Sequence, residues 1–434
     1  MRRLLVTLLA VALPLLGAAP ALSFDDADLR ATLAREMRHA GSGSGAYVAD
    51  VTGGGELFAR RADTARIPAS VEKLYTTSTA LLRLGPAATL RTAAATAPEN
   101  VLEPGGVLRG DLVLVGGGDP FFGDDSAKLL ARAVRAAGIR RIAGAVVGDE
   151  SAFDAQRSSC CAGYDNELGG VLSALAYDRG FFRGRARLDA ARFAAGRFAA
   201  ELRAMGVPVS GASHTGTAPT GAKTLAFVPS RNVGELARFT NAPSNNFAAE
   251  MLLKDLGARF RAIGTRAAGA EVVLNTLDDF GLRPRIVDGS GLSRDNRSTP
   301  RQVVSLLQRM ARPAIAPSFR ASLAVAGLTG TVKARMRRTA AAGRCQLKTG
   351  TLHRVSALAG YCRTIGGRDI AFALMSNGVN TFRAKAREDR MVVAIARLDA
   401  TAPAVAVPGL TTPAPAPDAG GVSPPPPGGA LPGP

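Results

Sequence analysis

Apolar residues recur at helical spacing over residues 70–84, with Pro68 just upstream and Gly85-Pro86 as a stop, and this pattern predicts a helix. The same spacing predicts helices over 245–256, 267–280 and 299–311. Between about 90 and 228 the pattern changes to short apolar runs broken by Gly and Pro, such as VLRGDLVLVGGGDP (107–120) and IRRIAGAVVGDESAF (139–153). These read as strands with turns, interleaved with helices over 126–137 and 190–205. In the last third, 344–351 and 355–363 form a predicted hairpin centred between His353 and Arg354, followed by a third strand over 370–377. At the start, Arg2 and Arg3 precede an apolar stretch from Leu4 to about Leu16 and then Gly17, Ala18 and Ala19. That order is expected of a signal peptide, cleaved after Ala21 or Ser23, and it implies export. From about 401 onward Pro, Ala and Gly dominate, and a disordered, partly polyproline tail is expected.

The chain has 434 residues, 47% apolar and 21% charged, which fits a globular protein of more than one domain. No apolar run reaches the ~18 residues that span a bilayer, so no stable membrane span is expected. The net charge is +19, yet only seven of the 54 basic residues are lysine and no run of five like charges occurs. An exported chain rarely meets nucleic acid, so anionic wall polymers or membrane surfaces would feel this field instead, and codon usage is the preferred account of the arginine excess. Four cysteines in an exported chain invite disulfides. Cys345 and Cys362 are nearly equidistant from the hairpin centre and would face each other, so a bridge there and free thiols are both open. Cys160 and Cys161 are neighbours that either pair or stay free.

Elimination narrows the chemistry. The three histidines, His39, His214 and His353, have no second His or Cys at metal-ligand spacing, so no metal or other cofactor is expected. No G-x-S-x-G elbow is present, and Gly116-Gly117-Gly118 lacks the G-K-[ST] of a phosphate loop. What survives is serine with lysine. Ser70 and Lys73 stand three apart at the start of a helix and share a face. A lysine desolvated there loses its proton readily and can deprotonate the serine. Alone, S-x-x-K is weak. Ser244-Asn245-Asn246 then opens another helix as S-x-N, and Lys348-Thr349-Gly350 lies in a strand, followed by Thr351. With so few lysines in the chain, two falling on motif positions is no accident.

These three motifs, in this order, are the signature set of class A β-lactamases and penicillin-binding proteins. The chain resembles the class C low-molecular-mass penicillin-binding proteins, the D-alanyl-D-alanine carboxypeptidase/endopeptidase family. IPASVEKLYTTSTALLRLGP, GDLVLVGGGDP, TNAPSNNFAAEMLLKDLG, DGSGLSRDNRSTP, SLAVAGLTGTV and KTGTLHRVSALAGYC carry the resemblance, which covers most of 60–395. It implies an α/β (α+β) catalytic domain of the penicillin-binding-protein/β-lactamase type with a central antiparallel sheet, plus a large β-rich inserted domain. The expected organisation is a signal peptide (1–23), an N-terminal catalytic part (24–94), the insertion (95–230), a C-terminal catalytic part (231–400) and the tail (401–434). Two departures stand out. Glu72 places an acid inside the first motif, although two residues from Ser70 it should point away from the shared face. The stretch 158–170, with its Cys pair and no Trp, matches the family poorly.

The resemblance implies these roles. Ser70 attacks the carbonyl between two D-amino acids and Lys73 accepts its proton. Ser244 relays a proton to the leaving amine, and Asn246 holds the substrate amide. Lys348 keeps Lys73 neutral and attracts the substrate carboxylate, to which Thr349 and Thr351 offer hydroxyls. Gly350 leaves the strand bare for substrate. The N–H groups of Ser70 and Thr351 hold the oxyanion. Expected partners are peptidoglycan stem peptides and, as covalent inhibitors, β-lactam antibiotics, met in the periplasm or cell-wall space. A β-lactamase is disfavoured by the long insertion and the absence of an E-x-x-x-N loop, and a non-catalytic wall-binding protein by the intact motif residues.

Overall fold

Asp369–Asn377 is apolar along almost its whole length because both faces of its sheet are covered. Ile370, Phe372 and Leu374 turn toward the terminal helices Asp26–Arg38 and Thr381–Arg397. Ala371, Ala373 and Met375 turn the other way, toward Lys73–Leu84, Arg266–Asp278 and Pro300–Met310. The structure, a computed structural model, describes residues 24–51, 55–159 and 163–399. The expected signal peptide and tail, and Cys160 and Cys161, lie outside the described residues.

The sheet has six antiparallel strands in the order Ala324–Val325, Cys345–Leu352, Val355–Arg363, Asp369–Asn377, Ser44–Asp50 and Glu56–Arg60. It is the central sheet expected, closed by strands from both ends of the chain. The hairpin turns between Leu352 and Val355, which sets Cys345 opposite Cys362, and a disulfide joins them. The bridge, left open by the sequence, is formed.

The predicted helices are present with shifted ends. Residues 69–72 form a 3-10 turn, and the α-helix proper is Lys73–Leu84. Thr299 and Gln302 cap Pro300–Met310 reciprocally. The helix expected to stop at 256 runs from Asn246 to Arg261, through Gly257. That glycine serves helix packing, since a Cβ there would lie 2.9 Å from the Gly269 nitrogen on the neighbouring helix.

The middle of the chain builds a second sheet, ordered His214–Thr215, Val146–Asp149, Leu112–Val115, Thr89–Thr96 and Lys223–Asn232. Its strands thus begin at Thr89 and reach Asn232. Leu112–Val115 and Val146–Asp149 pair in parallel, which requires a crossover, and helix Asp124–Ala136 supplies it. A second helix, Ala190–Ala204, helps close the core around Leu114, Leu130, Val146, Phe198 and Leu202. The strands are there as expected, but the sheet is mixed and helices cover it. The two units meet where the fully buried Lys254 donates to Asp154 Oδ1 at 2.6 Å and to the Gln156 carbonyl at 3.3 Å.

Candidate active site

In a 3-10 turn three residues complete one turn, so residues i and i+3 eclipse. Ser70 lies in such a turn, and Lys73 stands directly over it, with Nζ 2.9 Å from Ser70 Oγ. The turn is entered through Ala69 at φ +49°, a left-handed conformation unusual for a residue with a Cβ. Ser244 holds the same kind of strained position at φ +63°. Strain of this kind gathers where a side chain must be aimed. Asn245, the middle residue of the second motif, accepts from the Ala248 N–H and caps the helix that Asn246 begins.

Lys73 Nζ also donates to Asn246 Oδ1 at 2.7 Å and to the Ser290 carbonyl at 2.5 Å. Asn246 is oriented by its own Nδ2, which donates to the Glu167 carbonyl at 2.6 Å. Two of the three Lys73 partners are therefore acceptors only. When Nζ loses one proton, its two remaining hydrogens are taken by Asn246 and Ser290, and its lone pair is left facing Ser70. Burial lowers the Lys73 ammonium to about 7, with Asp288, Glu250 and Glu72 pulling the other way.

Lys348 Nζ donates to Ser244 Oγ at 2.9 Å and to the Thr349 carbonyl at 2.8 Å. It too is pushed well down, first by burial and then by repulsion from Lys73. Desolvation is what depresses Lys73. Thr349 donates to Thr331 Oγ1 at 2.8 Å, and Thr351 is exposed near the end of the strand. Gly350 has a role the sequence did not reveal. A Cβ at that position would lie 2.6 Å from the Pro68 carbonyl and 3.1 Å from the Ser70 nitrogen. The missing side chain is what lets the strand approach the turn carrying Ser70.

The sequence reading assigned no role to the support beneath Lys73. Glu250, one helical turn beyond Asn246, accepts the N–H groups of Gly289 and Ser290 at 3.1 and 2.8 Å. Asp288 accepts those of Gly291 and Ser293 at 2.8 and 2.6 Å and the Asn296 amide at 2.7 Å. Together they fix the carbonyl that Lys73 meets. The only signal in the sequence was the run DGSGLSRDN. Glu72 makes no hydrogen bond to Ser70 or Lys73, as its spacing implied, but it does not escape the site. It is fully buried, neither carboxyl oxygen finds a partner among the described residues, and burial with Asp288 nearby raises it well above the usual carboxylate range.

The family model described as the D-Ala-D-Ala carboxypeptidase 3 (S13) family matches residues 26–167 and 167–398. The D-alanyl-D-alanine carboxypeptidase of Actinomadura sp. strain R39 is 31% identical, over 90% of this chain and 89% of its own length. A carboxypeptidase of Mycobacterium tuberculosis is 30% identical, over 76% of this chain and 75% of its own. Penicillin binding protein 4 from Haemophilus influenzae shares the fold, with a TM-score of 0.73 at 20% identity, covering 85% of this chain and 99% of that structure. Motif order, sheet and similarity over nearly the whole described chain agree, and the protein belongs to the D-Ala-D-Ala carboxypeptidase 3 (S13) family.

Proposed function

We propose that the protein is a serine D,D-carboxypeptidase/D,D-endopeptidase that cuts D-Ala-containing peptidoglycan stem peptides and cross-links through a Ser70 acyl-enzyme. The observation that carries this reading is the 2.9 Å contact between Ser70 Oγ and a buried lysine brought to about 7. Lys73 takes the Ser70 proton as Oγ attacks the carbonyl carbon, and the N–H groups of Ser70 and Thr351 hold the resulting oxyanion. Ser244, joined to Lys348, passes a proton to the leaving amine. Asn246 meets the substrate amide. Lys348, Thr349 and Thr351 meet the terminal carboxylate, with Gly350 keeping the strand close to Ser70. Water then hydrolyses the ester. β-Lactams would acylate the same serine. The charged, apolar and small-residue order of 2–23 supports export to the periplasm or cell-wall space, where this substrate lies.

The test is release of D-alanine from a peptide ending in D-Ala–D-Ala. Wild type should release it and Ser70→Ala should fall by at least about 10³-fold. A folded Ser70→Ala variant with wild-type turnover would remove Ser70 from the mechanism.

A further inference from the structure

Between Asp295 and Asp369 the chain carries fourteen lysines and arginines and not one carboxylate, where 35 acids in 434 residues would place about six. Codon usage exchanges lysine for arginine but removes no acids, so this stretch stands apart from the rest of the chain. Its densest part is the loop 331–344, where Lys333, Arg337, Arg338 and Arg344 are all exposed. None of these four pairs with a carboxylate among the described residues, whereas Arg335 of the same loop does. The loop folds back on itself, with Met336 and Arg338 at φ +57° and +56° and the Gly343 N–H donating to the Ala326 carbonyl at 3.0 Å.

Helix Thr381–Arg397 lies beside the loop, and Arg335 fastens the two. It donates to Asp389 Oδ1 at 2.8 Å, to Glu388 Oε2 at 3.1 Å and to the Lys385 carbonyl at 3.3 Å, which occupies both acids of that helix. Val332, Met336 and Ala341 of the loop and Met391, Val392 and Ile395 of the helix fill one core over the same face of the central sheet. Their outer surfaces therefore form one side of the molecule. Along the helix Arg383, Arg387 and Arg390 stand at i, i+4 and i+7 and make a stripe, in which Arg390 alone meets an acid, Glu36, among the described residues. Phe382 at the head of the stripe is 83% exposed, and Leu328, beside Gly343, is 57% exposed. Unpaired cations and open apolar side chains are the two features that draw a protein onto an anionic bilayer, the first by attraction to headgroups and the second by entry below them. A soluble polyanion would use the cations and leave Phe382 and Leu328 in water.

We infer that the loop 331–344 and the outer face of helix Thr381–Arg397 form a peripheral docking surface for anionic phospholipid headgroups. The surface is joined to the catalytic site, because the Thr331 hydroxyl at the start of the loop accepts from the Thr349 hydroxyl at 2.8 Å. Docking there holds that site at a fixed height above the bilayer. The inference goes beyond the activity proposed above and does not depend on it.

The test is binding of the full chain to vesicles of phosphatidylcholine alone and of phosphatidylcholine with roughly one-third phosphatidylglycerol. Wild type should prefer the anionic vesicles at least about tenfold, and raising salt from about 0.1 M to about 0.5 M should abolish that preference. Lys333→Gln, Arg337→Gln, Arg338→Gln and Arg344→Gln together should remove most of it. The same charge taken from the inserted domain (Lys128→Gln, Arg132→Gln, Arg185→Gln and Arg192→Gln, all exposed) should leave it in place. Phe382→Ser should lower affinity for the anionic vesicles at least about threefold. No preference in wild type, or an equal loss in both charge variants, overturns the inference. So does a Phe382→Ser affinity equal to wild type, which would mark a site for soluble polyanions. The salt response is read on wild type, so a loop variant that fails to fold does not shield the inference, and a preference that survives high salt overturns it.

Discussion

The proposed mechanism needs Lys73 to hold a proton at one moment and lack it at another, and its three partners divide that work. Asn246 and the Ser290 carbonyl secure the amine in either state, while Ser70 meets the lone pair only when the proton has gone. Because burial brings this group down to about 7, the neutral form that acylation needs grows as pH rises through that value. Acylation rate measured against pH should therefore climb between about 6 and 8 with a midpoint near 7. A flat profile there, or a limb near the ordinary lysine range, would contradict the assignment. The spacing of Ser70 and Lys73 made this pair legible in the sequence. Two other features were not. The Ser290 contact is made by a backbone carbonyl, which leaves no side-chain signature. The burial of Glu72 follows from tertiary packing rather than from its place along the turn.

Two elements meet at Ser70, the strand Cys345–Leu352 and the 3-10 turn Ala69–Glu72. Gly350 sets their separation, and both atoms nearest to an added Cβ are backbone atoms that cannot swing aside. Gly350→Ala should lower acylation at least about tenfold and cost about 1–3 kcal/mol of stability, read by acylation rate and denaturant unfolding. An alanine variant that acylates at the wild-type rate would mean that the turn is not held by this approach. The elements themselves were largely legible, because helical spacing marks 70–84 and 299–311, with Gly85-Pro86 stopping the first, and the hairpin centre follows from its flanking strands. The 3-10 start was hidden, since nothing in Ala69–Glu72 separates it from an α-helical turn. The run of Asn246–Arg261 through Gly257 was hidden for a different reason, as the glycine answers to a neighbouring helix.

Across the whole molecule, the site exists only because distant parts of the chain converge. Strands from before residue 61 and after 323 share one sheet, and the segment carrying Glu167 returns from the insertion to orient Asn246. The motif order and the resemblance made the catalytic architecture legible, and the strand-like texture of the middle third announced a second sheet. That it is mixed and helix-covered depends on which strands pair, which the local pattern does not encode. The helix carrying Asn246 and Glu250 also carries Lys254, whose buried contact with Asp154 ties the insertion to the catalytic unit. The most direct test of the central claim is intact-protein mass after incubation with benzylpenicillin, wild type beside Ser70→Ala. A stable adduct of one antibiotic on wild type alone is the predicted result. An unmodified wild type with the antibiotic intact, or an adduct that persists on Ser70→Ala, would contradict an acylating Ser70.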